Sequence, residues 1–216
     1  MIMEYNNIKD KLIQNRFPTV VVPRYGDLEP CPLYQTRLLM ARDGVHVETN
    51  QPFGRFRGHH ADLCRDLPYG DVTAINDFVG IMCSEEVNRI FNNDIRPAAK
   101  EYAERNMEWA GWIIWSAREG YRYLPLEIEA TFGSVIIKNR PTLPAGSCLV
   151  IDVHSHGRIK PFFSATDDRD DAGGVKISVV LGDYTERDGF TVKGRIAVEG
   201  FFFPLFDPDI NMVVTL

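Results

Sequence analysis

One strand-like segment, Cys148 to His156, constrains the fold of this 216-residue chain more than any other stretch. Two sets of residues alternate along it: apolar Leu149, Ile151 and Val153, and polar Asp152, His154 and His156. Because successive side chains of a β-strand point to opposite faces, the alternation predicts a strand with one face on an apolar core. The other face carries groups that bind metals, so we expect it to open onto a site.

This polar face begins a longer motif of two histidines, a serine and an aspartate. His154 and His156 are two positions apart, so both imidazoles project from the same face and reach one ion. Seven residues separate His156 from Ser164, and two separate Ser164 from Asp167, which the intervening turn can bring beside the histidines. Two nitrogens and one oxygen are the ligand count of a catalytic zinc that keeps its fourth position for water. The motif therefore predicts a Zn²⁺ site held by His154, His156 and Asp167.

Each half of the motif also has a purely structural interpretation. A His-x-His pair alone is often two hydrogen-bonded histidines on an edge strand, and Ser164 to Asp167 alone is typical of a helix capping box. The two halves in one pattern favour the metal site. A capped helix is compatible with that site, because a helix start would fix the orientation of Asp167.

Glu108 is the candidate general base, because a hydrolytic metal site needs a carboxylate that takes and returns a proton. It lies where a predicted helix, Asp94 to Met107, gives way to a predicted strand, Gly111 to Trp115. Two tryptophans follow it closely, so desolvation is expected to raise its pKa. The structural alternative is a solvated glutamate at a helix end, and Glu127 and Glu129 are weaker candidates for the base.

Asp152 shares the strand face of both histidines. A carboxylate at this position either competes for the ion or accepts a hydrogen bond from a ligating imidazole. We expect the second role, in which Asp152 orients His154.

The chain is expected to contain two parts, a β-rich N-terminal segment over residues 1–75 and an α/β domain over residues 76–216. In the first part, Thr19 to Val22 is typical of a strand and Arg42-Asp43-Gly44 of a hairpin turn. We identify no chemistry in this part and interpret His59-His60 as a polar turn.

In the second part, a helical region precedes several strands, which predicts an α/β or α+β domain. Ser84 is a candidate N-cap for one helix, and Asp94 starts a second helical run with Pro97 in its first turn. The predicted strands are Trp112 to Trp115, Ser134 to Lys138, Cys148 to His156, Val175 to Leu181 and Phe190 to Phe203.

Composition argues against several classes of protein. A net charge of -6 and a pI near 5.4 disfavour a protein whose task is to neutralise nucleic-acid phosphates. No run of about 18 apolar residues is present to span a membrane. The N-terminus lacks the basic start and apolar stretch of a secretory signal, so a cytoplasmic location is expected. The four cysteines show no C-x-x-C spacing and are expected to be buried thiols.

The spacing of the histidines, Ser164 and Asp167, with a glutamate upstream, resembles that of the JAMM metalloproteases, also called the MPN or JAB family. The match covers roughly residues 84–203. This resemblance implies a cytidine-deaminase-like α/β fold, with a mixed sheet and flanking helices, and zinc bound by His154, His156 and Asp167. It also implies that Glu108 acts as acid and base and that Ser164 helps to hold the oxyanion.

The strand Asp152 to Gly157 and the acidic run Asp167 to Asp171 resemble, more narrowly, the prokaryotic JAB proteins (protein A) of PRTRC cassettes. Those cassettes also encode a ThiF-related protein and a ubiquitin-like protein. The resemblance therefore implies a peptide or ubiquitin-like protein substrate and a ThiF/E1-like partner. One difference lies in the loop, because Gly157 and Phe163 stand where many family members have proline.

Two other functions stay open at this point. The segment Asp152 to Gly157 also resembles the opening strand of amidohydrolase and PHP phosphoesterase barrels, although a barrel needs about 250 residues and no histidine follows His156. The other alternative is a non-catalytic MPN-type scaffold that uses the N-terminal segment and Phe201 to Phe206 as contact surfaces. The retained metal ligands favour the enzyme, and an apolar run of this kind is more typical of a core strand.

Overall fold

A computed structural model describes residues 7–206 of the protein. The described chain divides into two compact units, which adjoin in sequence between Asp77 and Phe78. Each unit is built around its own main β-sheet. None of the helices in the described range has the length and apolar character needed to cross a bilayer.

The N-terminal unit is a helix followed by a five-stranded sheet. The helix α1 spans Ile8–Arg16, and the strands, whose chain order is also their order in the sheet, are β1 (Thr19–Val21), β2 (Gln35–Met40), β3 (Gly44–Gln51), β4 (Gly54–Asp62) and β5 (Ile75–Asn76). β1 and β2 are parallel, whereas the other neighbours are antiparallel. Val22, Leu39 and Ala41 form a buried apolar cluster on this sheet.

The hairpin expected around Arg42-Asp43-Gly44 is confirmed, since β2 and β3 pair antiparallel on either side of it. The sequence does not predict α1, because none of its residues is buried and no apolar stripe marks it. The interpretation of His59-His60 as a turn is wrong. Both residues lie inside β4, which stays extended because it pairs with β3 along its length.

The second unit combines short helices with a larger sheet. Its helices are α2 (Asp77–Met82), which begins at the boundary, α3 (Glu85–Ile90), α4 (Arg96–Glu104) and α5 (Ala165–Asp171). Its strands are β6 (Trp109–Ser116), β7 (Gly120–Pro125), β8 (Ile128–Ala130), β9 (Val135–Ile137), β10 (Ser147–Ser155), β11 (Val175–Thr185), β12 (Gly189–Val198) and β13 (Phe201–Phe206).

The helical region begins as predicted and continues differently. Ser84 caps α3 by accepting a hydrogen bond from the Val87 N–H at 3.3 Å, which confirms the predicted cap. Asp94, however, does not start a new helix. It lies in a π-helical segment, Phe91–Ile95, that joins α3 directly to α4, and Pro97 follows at the start of α4. The expected break is therefore a widened turn within one continuous helical run.

The larger sheet is mixed, in the order β13-β12-β11-β10-β6-β7. β10 and β11 are parallel, and the other neighbours are antiparallel. β8 and β9 pair separately as a hairpin. The single strand predicted over Phe190 to Phe203 is two strands, because Glu199 and Gly200 take positive φ angles of 49° and 92° and turn the chain between β12 and β13.

The core of the second unit is formed by the helices and the sheet together. Its fully buried side chains include Phe78, Met82, Val87, Phe91 and Ile95 from the helical region and Ile113, Ile151, Ile177, Leu181 and Ile196 from the strands. A mixed sheet with few helices, preceded by a β-rich region, confirms the predicted α/β class at this level. The barrel alternative is wrong, because these strands run mostly antiparallel rather than in repeated βα units.

The cysteines are free thiols, but their predicted burial is confirmed only for Cys31. Cys64 and Cys83 are exposed, and Cys148 is half-buried. Low cysteine number and scattered spacing exclude a framework of disulfides, but they carry no information on which side of a strand or helix each thiol lies.

Candidate metal centre

β10 supplies the two histidines of the predicted motif. It lies inside the sheet between β11 and β6, with His154 opposite Val180 on one neighbour and Ala110 on the other. His156 follows the last residue of β10 and still donates its N–H to the Leu181 carbonyl oxygen at 2.8 Å. Pairing on both sides therefore fixes the backbone that carries the two rings.

The alternation that predicts β10 holds from Ile151 onward and fails before it. Ile151 and Val153 are fully buried, as expected. The register with β6 shifts between Leu149 and Ile151, where Val150 is the extra residue and is buried in place of the half-buried Leu149. A bulge of this kind changes which side chains face the core.

Three ligand atoms converge beyond the polar face of β10. The Nε2 atoms of His154 and His156 are 3.2 Å apart, and Asp167 Oδ1 is 3.5 Å from His154 Nε2. All three atoms lie within 4.8 Å of one another. Ligands at about 2.0–2.1 Å from a tetrahedral zinc stand about 3.3 Å apart, so the two distances from His154 Nε2 fit the ion. The fold thus brings the three predicted ligands together at distances that zinc accepts.

The His156 ring is oriented by a contact of its second nitrogen. Its Nδ1 lies 3.4 Å from the Lys160 carbonyl oxygen, which favours a proton on Nδ1 and a free lone pair on Nε2. Phe162 packs against the ring, with centroids 4.6 Å apart. Burial lowers the pKa of His156, and the neighbouring His154 lowers it further. Both effects favour the neutral imidazole that a metal requires.

α5 orients Asp167 through its own N-terminus. Ser164 is the N-cap: its Oγ accepts the Asp167 N–H at 3.3 Å, and its N–H donates to Asp167 Oδ2 at 2.6 Å. This reciprocal capping box occupies Oδ2 and leaves Oδ1 toward His154. The predicted capping box is confirmed, and it holds Asp167 with Oδ1 toward His154.

Ser164 lies in the same cleft as the three ligands. Its hydroxyl oxygen accepts a hydrogen bond within the cap, and a hydroxyl that accepts through oxygen still has its own proton to donate. Its position is therefore compatible with the predicted role at an oxyanion, which stays a prediction.

The backbone before β6 carries Glu108 to the sheet. α4 ends at Glu104, ahead of the predicted Met107, because Asn106 takes a left-handed φ of 53°. The Glu108 N–H then donates to the Thr131 carbonyl oxygen at 2.9 Å. The helix-to-strand junction predicted around Glu108 is thus present, with a shorter helix.

The Glu108 side chain lines the cleft that contains His154, His156 and Asp167. It is only 8% exposed. Burial raises the pKa of Glu108 from an ordinary 4.5 to about 7, and the negative charge of Asp167 adds to the shift. The direction is the one expected from the sequence. A carboxyl with a pKa near neutrality gains and loses a proton under working conditions.

Glu108→Gln is expected to stabilise the metal-free protein by about 1–3 kcal/mol near pH 8, because an ionised buried carboxylate is replaced by a neutral group of the same shape. The folded-state pKa lies above the unfolded one, so the penalty of the wild type is complete above about pH 7 and fades as the pH falls toward 4.5. Urea denaturation of both proteins without metal, near pH 8 and near pH 5, measures the difference. A gain of equal size at both pH values would contradict the assigned cause.

Neither weaker candidate for the base reaches the histidines. Glu127 accepts a hydrogen bond from Asn139 at 2.9 Å, and Glu129 pairs with Lys138 at 3.4 Å. Both glutamates are exposed at the β8–β9 hairpin.

Asp152 faces the cleft but is bound by other partners than the one predicted. It accepts hydrogen bonds from Trp112 Nε1 at 3.1 Å and from Lys176 Nζ at 2.6 Å. The described contacts thus give both carboxylate oxygens partners other than His154, and the orienting role of Asp152 toward His154 stays a prediction. The ammonium of Lys176, buried on the neighbouring strand β11, attracts the carboxylate instead.

A buried charge network anchors α5, and the sequence analysis missed it. Lys176 bonds Asp171 at 2.9 Å as well as Asp152, and Arg195 bonds Asp171 at 2.6 Å and also pairs with Asp168. The Arg195 guanidinium lies 3.9 Å and 4.0 Å from the ring centres of Phe163 and Phe202. Two aspartates three positions apart on α5 are the available signal, because that spacing puts them on one helix face. The network fixes the helix that begins beside Asp167.

Lys176→Met is expected to lower the free energy of unfolding of this unit by about 3–5 kcal/mol, because it leaves the buried Asp171 and the half-buried Asp152 without their shared cation. Lys138→Met is the matched control, since its pair with Glu129 is exposed and such surface pairs contribute about 0–1 kcal/mol. Urea denaturation of the metal-free chains makes the comparison. Equal losses in the two variants would show that the buried network contributes no more than a surface pair.

The backbone at the loop position where many family members have proline excludes a proline ring and favours glycine. Gly157 takes a φ of +58°, which the proline ring cannot adopt. Its carbonyl oxygen accepts the Tyr184 N–H at 3.0 Å, so the turn leaving His156 is tied to β11. The departure from the family pattern is therefore matched by a different local conformation.

Together these residues line one cleft of about 530 Å³ in the second unit. Glu108, His154, His156, Ser164 and Asp167 all border it. The sequence-predicted ligands, base and serine are thus brought to one place.

Two families of domains match the chain. A domain of unknown function, DUF2016, matches residues 7–78, and the prokaryotic homologs of the JAB domain match residues 95–192. The match over residues 95–192 supports a domain of the JAB family in this part of the chain. The JAB match contains the five residues that border the cleft, whereas DUF2016 coincides with the N-terminal unit. No curated protein matches the chain. JAB domains include hydrolases and non-catalytic members, so membership gives a possible hydrolase.

Proposed function

We propose that the JAB domain is a zinc-dependent hydrolase that cleaves peptide or isopeptide bonds. One observation carries this proposal: His154, His156 and Asp167 present ligand atoms within 4.8 Å of one another in the cleft that also contains Glu108, whose pKa is about 7. Three protein ligands leave a position for water, and a carboxylate of that pKa exchanges protons near neutral pH.

The three candidate ligand residues already present the atoms and the charges that zinc requires. When bound, zinc supplies Lewis-acid polarisation of the scissile carbonyl and lowers the pKa of water. His156 offers Nε2 because its Nδ1 faces the Lys160 carbonyl oxygen, and Asp167 offers Oδ1 because Ser164 holds its Oδ2. Two neutral imidazoles and one carboxylate leave a net positive centre, which favours attack on a carbonyl.

Glu108 would act as both base and acid. Its carboxylate would accept a proton from the attacking water and then return that proton to the departing amine. A group of pKa about 7 performs both steps, because neither of its protonation states is rare at neutral pH. Burial in the cleft keeps bulk water from competing for the same proton.

Ser164 would donate its hydroxyl proton to the oxygen that gathers charge in the transition state. Its backbone is fixed by the capping box with Asp167, so the hydroxyl is held in position before the substrate arrives. Removal of one such donor costs about 2.7–4 kcal/mol of transition-state stabilisation.

We further propose a ubiquitin-like protein as the substrate and a ThiF/E1-like protein as the partner, in the cytoplasm. The strand Asp152 to Gly157 and the acidic run Asp167 to Asp171 support this, through their resemblance to the JAB proteins of PRTRC cassettes. The same resemblance supports a cytidine-deaminase-like arrangement of the mixed sheet and its helices.

The test is cleavage by the zinc-loaded full chain of three substrates: a ubiquitin-like protein fused through its tail to a reporter, the same tail joined to a lysine side chain, and an unrelated unfolded protein. We expect cleavage of the first two, loss of cleavage after chelation, and recovery after zinc is returned. Bound zinc with all three substrates intact would instead support a non-catalytic scaffold.

A further inference from the structure

A second group of metal-binding side chains lies in the N-terminal unit, outside the JAB domain. Asp43, His46 and His59 place one ligand atom each within 4.8 Å of one another. The residues come from the β2–β3 turn, from β3 and from β4. Asp43 and His46 are close in the sequence, and the pairing of β3 with β4 brings His59 to them.

The two histidines are partners across β3 and β4. His46 is paired with His59, and their rings meet edge to face with centroids 4.9 Å apart. The register shifts next to this pair, because Val45 is opposite Ala61 and His60 is the extra residue. The bulge at His60 puts His59 on the same face as His46, which an unshifted ladder continuing from Val45 and Ala61 would not do.

Asp43 completes the group from the turn. Its Oδ1 lies 2.9 Å from His46 Nε2, close to the roughly 3.3 Å that separates two ligands of a tetrahedral zinc. The His46 ring is buried, at 6% exposure, whereas the side chains of Asp43 and His59 are 54% and 37% exposed. The group thus has a fixed inner histidine and an open outer side through which an ion enters.

Gly44 keeps the space between the turn and β4 clear. Its φ is +152°, and a Cβ at this position would collide with the Ala61 carbonyl oxygen and would come within 3.0 Å of His59 Nε2. Only glycine therefore lets the turn that carries Asp43 approach the His59 nitrogen. Asp62 Oδ1 also lies 3.3 Å from this nitrogen, but its side chain is 94% exposed and is not one of the three convergent ligands.

We infer that Asp43, His46 and His59 form a second divalent-metal site, suited to Zn²⁺. Two imidazoles and one carboxylate are ligands that zinc accepts. The role assigned to the site is structural, because an ion held by the turn, β3 and β4 clamps the β2–β3 turn to β4. A unit of roughly 70 residues has a small core, and domains of that size often gain stability from a metal.

The experiment isolates this site by removing the JAB centre. In full-length protein carrying His154→Ala and His156→Ala, zinc titration followed by calorimetry should show one equivalent bound, and zinc should raise the melting temperature. Adding His59→Gln should weaken that binding by at least about 100-fold, because a direct ligand is lost. Adding His60→Gln instead should leave binding unchanged, since His60 is the bulge residue beside the site.

Absence of zinc binding in the folded double variant, or binding that survives His59→Gln, overturns the inference. Asp43→Asn tests the site a second time. Because the Asp43 side chain is exposed, this substitution is not expected to misfold the protein. The wild-type chain provides a complementary count. It should bind two equivalents of zinc, and the single variant His59→Gln should bind one. This count is independent of whether the JAB domain cleaves any substrate, so failure here and failure of the proposed hydrolase are distinguishable.

Discussion

Glu108→Gln is expected to reduce kcat for peptide-bond cleavage by about 10²–10⁴-fold while zinc remains bound with near-normal affinity. Glutamine keeps the shape of the side chain but cannot accept the proton of the attacking water. Glu108 is not one of the three convergent ligands, so the metal centre should be retained. Single-turnover cleavage of the ubiquitin-like fusion, together with metal content by mass spectrometry, measures the two effects separately.

Glu129→Gln is the matched control for this result. It removes a carboxylate from the exposed β8–β9 hairpin, where Glu129 pairs with Lys138 and does not border the cleft. The control should cleave like the wild type. Near-normal cleavage by Glu108→Gln would remove Glu108 from the mechanism, and loss of zinc from that variant would make it a ligand instead.

The Glu108 side chain is expected both to lower the free energy of unfolding and to support turnover. Burial that raises the pKa of Glu108 to about 7 makes the ionised form costly in the folded protein, and that cost gives the group a proton affinity suited to a base that must also act as an acid. The stabilisation predicted for metal-free Glu108→Gln and its loss of turnover therefore have one physical cause. A variant that is more stable and less active is the expected pattern at such a site.

The part of the site that lies along one strand and its following turn could be predicted from the sequence. His154 and His156 are fixed by the two-residue period of β10, and Asp167 by a capping box whose signature is local. Glu108 follows from a helix-to-strand junction, although the helix before it is shorter than predicted. Each of these signals depends on neighbours within a few residues in the chain.

What could not be predicted depends on register between distant segments. Lys176 reaches Asp152 because β10 and β11 are adjacent and parallel, which no local pattern reveals. The pairing of His46 with His59 depends on a one-residue bulge, and a shift of one position would have put the rings on opposite faces. Sequence patterns therefore identified ligands on single elements and missed partners across strands.

Asp167→Asn is expected to weaken zinc binding at the JAB centre by at least about 100-fold. Removing a residue that only hydrogen-bonds a metal ligand already weakens metal binding by up to that factor, so removal of the ligand itself should cost at least as much. Asparagine retains an oxygen that accepts the Ser164 N–H, so α5 should stay capped while the negatively charged ligand is lost. Zinc competition with a chromophoric chelator measures the affinity. The His59→Gln background restricts the measurement to this centre.

Asp170→Asn removes the same charge from the same helix and serves as the control. Asp170 is exposed and borders the cleft, so its effect on zinc is limited to a charge screened by solvent and salt. Equal weakening in the two variants would mean that only the local negative charge matters. Normal affinity in Asp167→Asn would transfer the carboxylate ligand to Asp152, but Asp152 would first have to leave Trp112 and the buried ammonium of Lys176. Because Asp167 Oδ1 has no such competitor among its described contacts and already lies 3.5 Å from His154 Nε2, the loss is expected at Asp167.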